Sequence, residues 1–291
     1  MSAAAPRGNS SVADALAEAT AVLARAGLPE PRREARLLVA QALAVGIEQI
    51  VGYPERLLEA GEAAAVESLL QRRAAREPLS RIAGRREFWG LDFALSPDTL
   101  DPRPDSETLI ETLLESLPDR GAALRILDLG TGSGCLLLAL LSELPAAWGL
   151  GVDLAPGAIA TAARNASSLG LAARTSFAVG HWSDMLAGGW DVLVCNPPYI
   201  AAPEAESLSP EVARYDPPVA LFAGEDGLDA YREILPALPR LLGPGGLAAF
   251  EVGAGQGHSV SVLARGAGVG VRARGRDLAG IERCLLLEIQ G

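Results

Sequence analysis

The sequence predicts an α/β fold: a mostly parallel seven-stranded sheet wound with helices on both faces, preceded by a small N-terminal helical bundle. Three observations carry that prediction. From Arg125 onward, short apolar runs alternate with helical patterns, as in βαβ units. Up to about Arg76, apolar residues recur at three-to-four spacing instead. Between the two, Arg86 to Leu95 alternates around Gly90 and Asp92, as a β-hairpin does.

Taken in order, residues 1 to about 10 read as a disordered tail. Val12, Leu16, Ala19, Val22, Leu23 and Ala26 then mark one face of a helix ending near Gly27. Pro31 opens a second helix through Ala35, Leu38, Val39, Ala42 and Leu43. A third, from Glu59 to Arg76, carries Glu62 and Glu67 early and Arg72, Arg73 and Arg76 late, the charge order a helix dipole favours. These helices define residues 1–77 as a packing or substrate-docking domain. The three arginines read as a solvated helix end, with a docking patch as the alternative. Residues 78–100 form the hairpin linker, and residues 101–291 the α/β domain. Asp101-Pro-Arg-Pro-Asp105 is a stiff turn, with Asp105 placed as N-cap of a helix carrying Leu109, Ile110, Leu113, Leu114 and Leu117. Strands are expected at 125–129, 149–154, 175–179, 191–195 and 247–252. Two more, at 269–274 and 282–289, pair as an antiparallel hairpin at the sheet edge. The polar stretch 200–227 is long for a connection and reads as a lid.

Composition narrows the function classes. The chain has 291 residues, 49% of them hydrophobic, enough for two domains with cores. Its 25 Lys and Arg against 36 Asp and Glu give a net charge of −11, the wrong sign for broad phosphate binding. No direct nucleic-acid binding is therefore expected. The longest apolar run, Cys135 to Leu141, is too short to span a bilayer, and the start has no apolar signal segment; a soluble, cytoplasmic protein is expected. Cys135, Cys195 and Cys284 form no CxxC pair, and only His181 and His258 are present, so neither a disulfide framework nor a zinc site is expected. Cys135 and Cys195 have no evident activating partner and read as buried thiols.

Two motifs carry chemistry. The first is Asp128-Leu-Gly130-Thr131-Gly132-Ser133-Gly134-Cys135, a strand, a glycine loop and a helix start. Glycines there admit positive φ and bring a ligand against backbone at a helix N-terminus. Cys135 replaces the last glycine of GxGxxG, which disfavours nicotinamide dinucleotides. Asp128 before the loop and Asp153 at the end of the next strand suit a cationic, ribose-bearing ligand, Asp153 taking the two ribose hydroxyls. The second motif is Asn196-Pro197-Pro198-Tyr199, leaving the C-terminal end of the strand 191–195. Prolines at 197 and 198 hold Asn196 extended and bring no N–H, so the loop offers acceptors. It can hold an NH2 group by both hydrogens while the Tyr199 ring covers a flat, conjugated substrate.

The glycine loop, Asp153 and Asn-Pro-Pro-Tyr, in that order, resemble an S-adenosylmethionine-dependent methyltransferase acting on a planar nitrogen. The flanks narrow this: Pro78-Leu-Ser-Arg-Ile-Ala-Gly-Arg-Arg-Glu-Phe-Trp89, Pro102-Arg103-Pro104-Asp105-Ser-Glu107, Glu211 to Pro217, and Asp226 to Arg232. Together they resemble the release-factor glutamine-N5 methyltransferase family (HemK/PrmC type) over nearly the whole chain. The resemblance implies a class I (Rossmann-like) methyltransferase domain, S-adenosyl-L-methionine as cofactor, and transfer to a glutamine amide nitrogen in the Gly-Gly-Gln loop of peptide chain release factors. It implies a cofactor site of Asp128, Gly130, Thr131, Gly132, Ser133, Gly134, Asp153, Trp182 and Asn196. The substrate site is Asn196, Pro197, Pro198 and Tyr199, with Asn196, Pro197 and Tyr199 catalytic. His181 stands where the family often has an acid, and Asp101 where it often has an apolar residue. A ribosomal-protein glutamine methyltransferase would share these residues. A DNA adenine-N6 or rRNA guanine-N2 methyltransferase would share the tetrapeptide.

Overall fold

The computed structural model describes residues 10–184 and 186–290; the tail expected at the N-terminus lies outside them, apart from Ser10. The chain divides into two compact units. One comprises the residues up to Gly84 together with Pro210–Tyr215, and the other comprises Arg85–Ser209 and Asp216–Gly291.

The first unit is helical. Helix α1 (Val12–Arg25) starts at Ser11, whose hydroxyl accepts from the Asp14 N–H at 3.1 Å while Asp14 Oδ2 accepts from the Ser11 N–H at 3.0 Å. Two of the helix's orphan donors are thereby satisfied. Helix α2 (Pro31–Ala42) has the expected proline at its first position, and α4 (Ala60–Ala74) follows a short α3 (Ile47–Gly52). Helix α5 (Leu79–Ala83) occupies part of the span read as linker. Six and five residues are too few to show a helical period in sequence, so α3 and α5 have no signal there. Their Ile50 and Ile82 nevertheless join Leu23, Leu38, Val39, Val66 and Leu70 in one buried core.

The arginine-rich end of α4 is neither a solvated end nor a free patch. Arg73 is buried, with Nε 2.5 Å and Nη2 3.2 Å from the Glu34 carboxylate of α2. Arg76 Nε lies 2.8 Å from Glu211 Oε1 and Arg73 Nη1 3.3 Å from the same oxygen, while Arg72 pairs with Glu77. Glu211 belongs to helix α9 (Pro210–Tyr215), and the Tyr215 hydroxyl donates to the Ala75 carbonyl at 3.1 Å. A segment far along the chain thus completes the helical unit.

The second unit opens with a hairpin of β1 (Arg85–Phe88) and β2 (Leu91–Ala94), antiparallel as expected. Its main sheet comprises β3 (Arg125–Leu129), β4 (Trp148–Asp153), β5 (Thr175–Val179), β6 (Trp190–Cys195), β7 (Leu242–Glu251), β8 (Val269–Arg276) and β9 (Glu282–Ile289). Their order is β5-β4-β3-β6-β7-β9-β8, parallel except for β9, which runs antiparallel to β7 and to the edge strand β8. Strand β7 begins five residues earlier than the sequence suggests. Leu242-Gly-Pro-Gly-Gly246 precedes the expected strand, yet the pairing runs from Trp190↔Leu242 to Val192↔Leu247, and the irregularity absorbs the glycines.

Side chains alternate across the sheet. Ile126, Val192, Val194, Ala249 and Leu286 face a core made with α6 (Glu107–Ser116) and α7 (Cys135–Glu143). Leu127, Leu193, Ala248, Phe250 and Leu285 face a second core, made with α10 (Asp229–Ile234), α11 (Leu238–Leu241) and α12 (Gly257–Gly266). Helix α8 (Pro156–Ser168) joins β4 to β5. The strand order reverses between β3 and β6, and a crevice opens at such a switch point beyond the strands' C-terminal ends.

Replacing Arg73 with Met strips the buried Glu34 carboxylate of its partner and is expected to cost about 3 kcal/mol or more. Adding Glu34→Gln should return much of that loss, as urea unfolding followed by circular dichroism will show.

Candidate active site

The two loops that leave β3 and β6 meet at this switch point. Leu129 and Cys195 pair at the strand ends, so Gly130 and Asn196 come next in each chain segment. Gly130, Gly132 and Gly134 have φ of 72°, 55° and 82°, which side-chain-bearing residues rarely adopt. Within the turn, the Gly130 and Thr131 N–H groups donate to the Val152 carbonyl, and the Gly134 N–H to the Thr131 carbonyl. A Cβ at Gly130 would stand 3.3 Å from Trp182 Cζ3, and one at Gly134 would stand 3.2 Å from Ala162 Cβ. The loop is therefore both bent and closely packed.

Asp153 ends β4 beside that loop. Its Oδ2 accepts from the Gly132 N–H at 2.8 Å and its Oδ1 from the Ala155 N–H at 2.9 Å. Each oxygen keeps a lone pair for a ligand hydroxyl. Asp128 is buried behind the loop, where its Oδ2 accepts from the Thr131 hydroxyl at 2.6 Å. Burial pushes its carboxyl up to about 7, with Asp153 adding to the rise.

A cleft is lined by Gly130, Thr131, Gly132, Ser133, Asp153, Trp182, Asn196 and Pro198 from the residues singled out in sequence. His181, Arg103, Ser106, Leu100, Leu154 and Val219 complete much of its wall. Asp128, Gly134, Pro197 and Tyr199 are not part of that lining. Trp182 holds a φ of 43°, a strained value for a bulky residue, with its ring edge over Gly130. His181 is partly exposed, and its Nδ1 lies 3.1 Å from Glu233 Oε1. Burial pushes the Cys135 thiol up to about 12 and the Cys195 thiol well above its ordinary value, so neither is an activated nucleophile.

The tetrapeptide is held by groups the sequence did not flag. Asn196 Nδ2 donates to Ser106 Oγ at 3.2 Å, and the Ser106 hydroxyl donates to Glu251 Oε2 at 2.5 Å. Tyr199 donates its hydroxyl to Glu251 Oε1 at 3.3 Å, and its backbone carbonyl accepts from Gln256 Nε2 at 2.9 Å. Glu251, at the end of β7, is 1% exposed, and burial pushes its carboxyl up to about 7. The one available signal was an acid ending an apolar run at the sheet's C-terminal edge. Asp105 is not the expected N-cap. A 3-10 turn over Pro104–Ser106 leads into α6, and Asp105 instead pairs with Arg283 at 3.0 Å. Asp101 is buried, and its N–H donates to Asp216 Oδ1 at 3.3 Å. Asp216 Oδ2 also accepts from Arg103.

Comparison with known proteins agrees with this architecture. Residues 14–84 match the family model described as PrmC N-terminal domain, and residues 96–210 match that of the methyltransferase small domain. The release factor glutamine methyltransferase of Rhodospirillum rubrum is 50% identical over 261 residues, covering 90% of this chain and 80% of that protein. That of Bradyrhizobium diazoefficiens is 44% identical over 266 residues, covering 90% of each. Among solved structures, the hMettl16 catalytic domain shares the fold at 16% identity, with a TM-score of 0.57 over 81% of this chain and 85% of that one. With 50% identity to one such enzyme over 261 aligned residues, the chain belongs to the release factor glutamine methyltransferase family.

Proposed function

We propose that the cleft binds S-adenosyl-L-methionine against the glycine loop and Asp153, and that the Asn196-Tyr199 loop presents a release-factor glutamine to it. The observation that carries this reading is the juxtaposition of Gly130 and Asn196 across β3 and β6, with the Asn196 amide nitrogen donating to Ser106. The residues fit such a cofactor. Gly130 and Gly132 bring bare backbone to the cleft wall, Asp153 keeps acceptor capacity for ribose hydroxyls, and the Trp182 ring offers a flat wall for adenine. When bound, the cofactor supplies a methyl group on a sulfonium, an electrophile needing no metal.

The chain's own groups then have to orient a weak nucleophile. An amide nitrogen shares its lone pair with its carbonyl, so holding its two hydrogens is the available means of freeing that pair. Asn196 Oδ1 and the Pro197 carbonyl are the two acceptors in this reading. The bond from Asn196 Nδ2 to Ser106 supports it, because it leaves Oδ1 to accept. Correct placement accounts for much of the rate, and the surplus proton leaves to solvent after transfer.

The helical unit is assigned the docking of the protein substrate, taken to be a peptide chain release factor carrying Gly-Gly-Gln, in the cytoplasm where such factors act. Among the described residues no helix is long and apolar enough to cross a membrane.

Substituting Asn196 by Ala is expected to lower kcat by about 10²-fold or more while cofactor affinity measured by calorimetry stays within about threefold. Asp153→Ala should do the reverse, weakening cofactor binding about tenfold or more in the same titration. Mass spectrometry of the incubated release factor should place 14 daltons, roughly one CH2, on the glutamine of Gly-Gly-Gln. If the helices dock the partner, an intact release factor has a much lower KM than a short Gly-Gly-Gln peptide. Deleting residues 1–77 should then close that gap.

A further inference from the structure

We propose that Glu251 is a positioning residue: acting through Ser106, it sets which end of the Asn196 side-chain amide faces the substrate. The proposal rests on the reading of Asn196 as acceptor for the glutamine NH2. An asparagine amide has nearly the same shape after a half-turn, so only its partners decide whether oxygen or nitrogen points into the cleft. Here the deciding partner is a hydroxyl with a single proton.

Ser106 Oγ stands 2.5 Å from Glu251 Oε2 and 3.2 Å from Asn196 Nδ2. A carboxylate can only accept, so the Ser106 proton goes to Glu251. Ser106 then meets Asn196 purely as an acceptor, and only the NH2 end of the amide satisfies it. Oδ1 is thereby left as the end of the amide that accepts from the substrate. The other Glu251 oxygen accepts from Tyr199, which ends the same tetrapeptide. Glu251 is buried and does not line the cleft, so it reaches the substrate only through these residues.

Protonating Glu251 undoes the arrangement. The carboxylic acid can donate to Ser106, freeing the Ser106 proton to donate to Asn196 Oδ1, and the amide turns over. Its NH2 would then meet the NH2 of the glutamine, donor against donor. The proton is within reach because burial holds the Glu251 carboxyl near 7. Around it lie Asp105, which raises its proton affinity, and Arg283, which lowers it. Also present are the Tyr199 and Tyr231 phenols and the Cys135, Cys195 and Cys284 thiols, all shifted upward and protonated at neutral pH. Asp128 is the other carboxyl near 7, and it sits behind the glycine loop, bonded to Thr131.

The test uses the full-length enzyme with a purified release factor from about pH 5.5 to 8.5, a range that brackets the carboxyl. Wild-type kcat should fall on the acid side of pH 7, while affinity for S-adenosylhomocysteine, read by calorimetry, stays within about threefold. Glu251→Gln offers one acceptor and no titration, so it should keep part of the rate and lose the acid-side fall. Glu251→Met, with no acceptor, should lower kcat by about 10²-fold with unchanged product affinity. Ser106→Ala should be slow and flat with pH. An acid-side fall that persists in Glu251→Gln or Ser106→Ala assigns the titration to Asp128 or another group and overturns the proposal. If Glu251→Met fails to fold, the wild-type, Gln and Ala profiles still decide. Full activity of Asn196→Ala would instead overturn the acceptor reading itself.

Discussion

The arrangement of the cleft depends on one buried carboxylate. Glu251 ends β7 with no solvent to stabilise its charge, and it compensates by collecting the hydroxyls of Ser106 and Tyr199. Its own backbone carbonyl accepts from the Tyr231 hydroxyl at 2.7 Å, which anchors the strand end to α10. These bonds tie four separate stretches together: the start of α6, the tetrapeptide after β6, α10 and the end of β7. A neutral apolar residue there would be cheaper to bury. A charge that only accepts gives the hydroxyls around it a fixed direction, and direction is what an amide-recognising site requires.

The sheet supplies the rest of the geometry. Because β3 and β6 are neighbours and parallel, their outgoing loops diverge from a common line, one bent by glycines and the other stiffened by prolines. The two solutions are opposite in kind. Glycine lets backbone N–H groups and carbonyls approach a ligand, whereas consecutive prolines remove donors and leave carbonyls exposed. Asp153, one strand over, braces the glycine loop through the Gly132 N–H while keeping acceptor capacity toward the cleft.

Local features were legible in the sequence. The glycine loop, the tetrapeptide, the succession of apolar runs along the chain and the first helix, closing just before Gly27, follow from periodicity and from residues with restricted or special φ. What the sequence could not show is long-range pairing. Glu251 looks like the polar end of a strand until Ser106, 145 positions away, is folded against it. Arg73 looks like a solvated helix terminus until Glu34 closes on it. Asp105 and Ser106 are adjacent and both able to cap. Arg283 draws Asp105 aside, while Ser106 precedes the first helical residue without capping through its side chain. Short helices such as Ile47–Gly52 are set by the core they cover rather than by their own pattern.

Helix α9 gives the chain an unusual order of assembly. The helical unit is translated first, yet Arg73 meets Glu211 across 138 positions, after β3 to β6 have been made. Closing such a loop carries an entropy cost that grows only slowly with length, so the penalty is mainly one of timing. During synthesis the N-terminal helices leave the ribosome with their last ion pairs unfilled, and the nascent chain must return to complete them. A unit that looks like a detachable module at one end of the gene therefore includes Pro210–Tyr215 from far along the chain, and neither piece could be exchanged between relatives without the other.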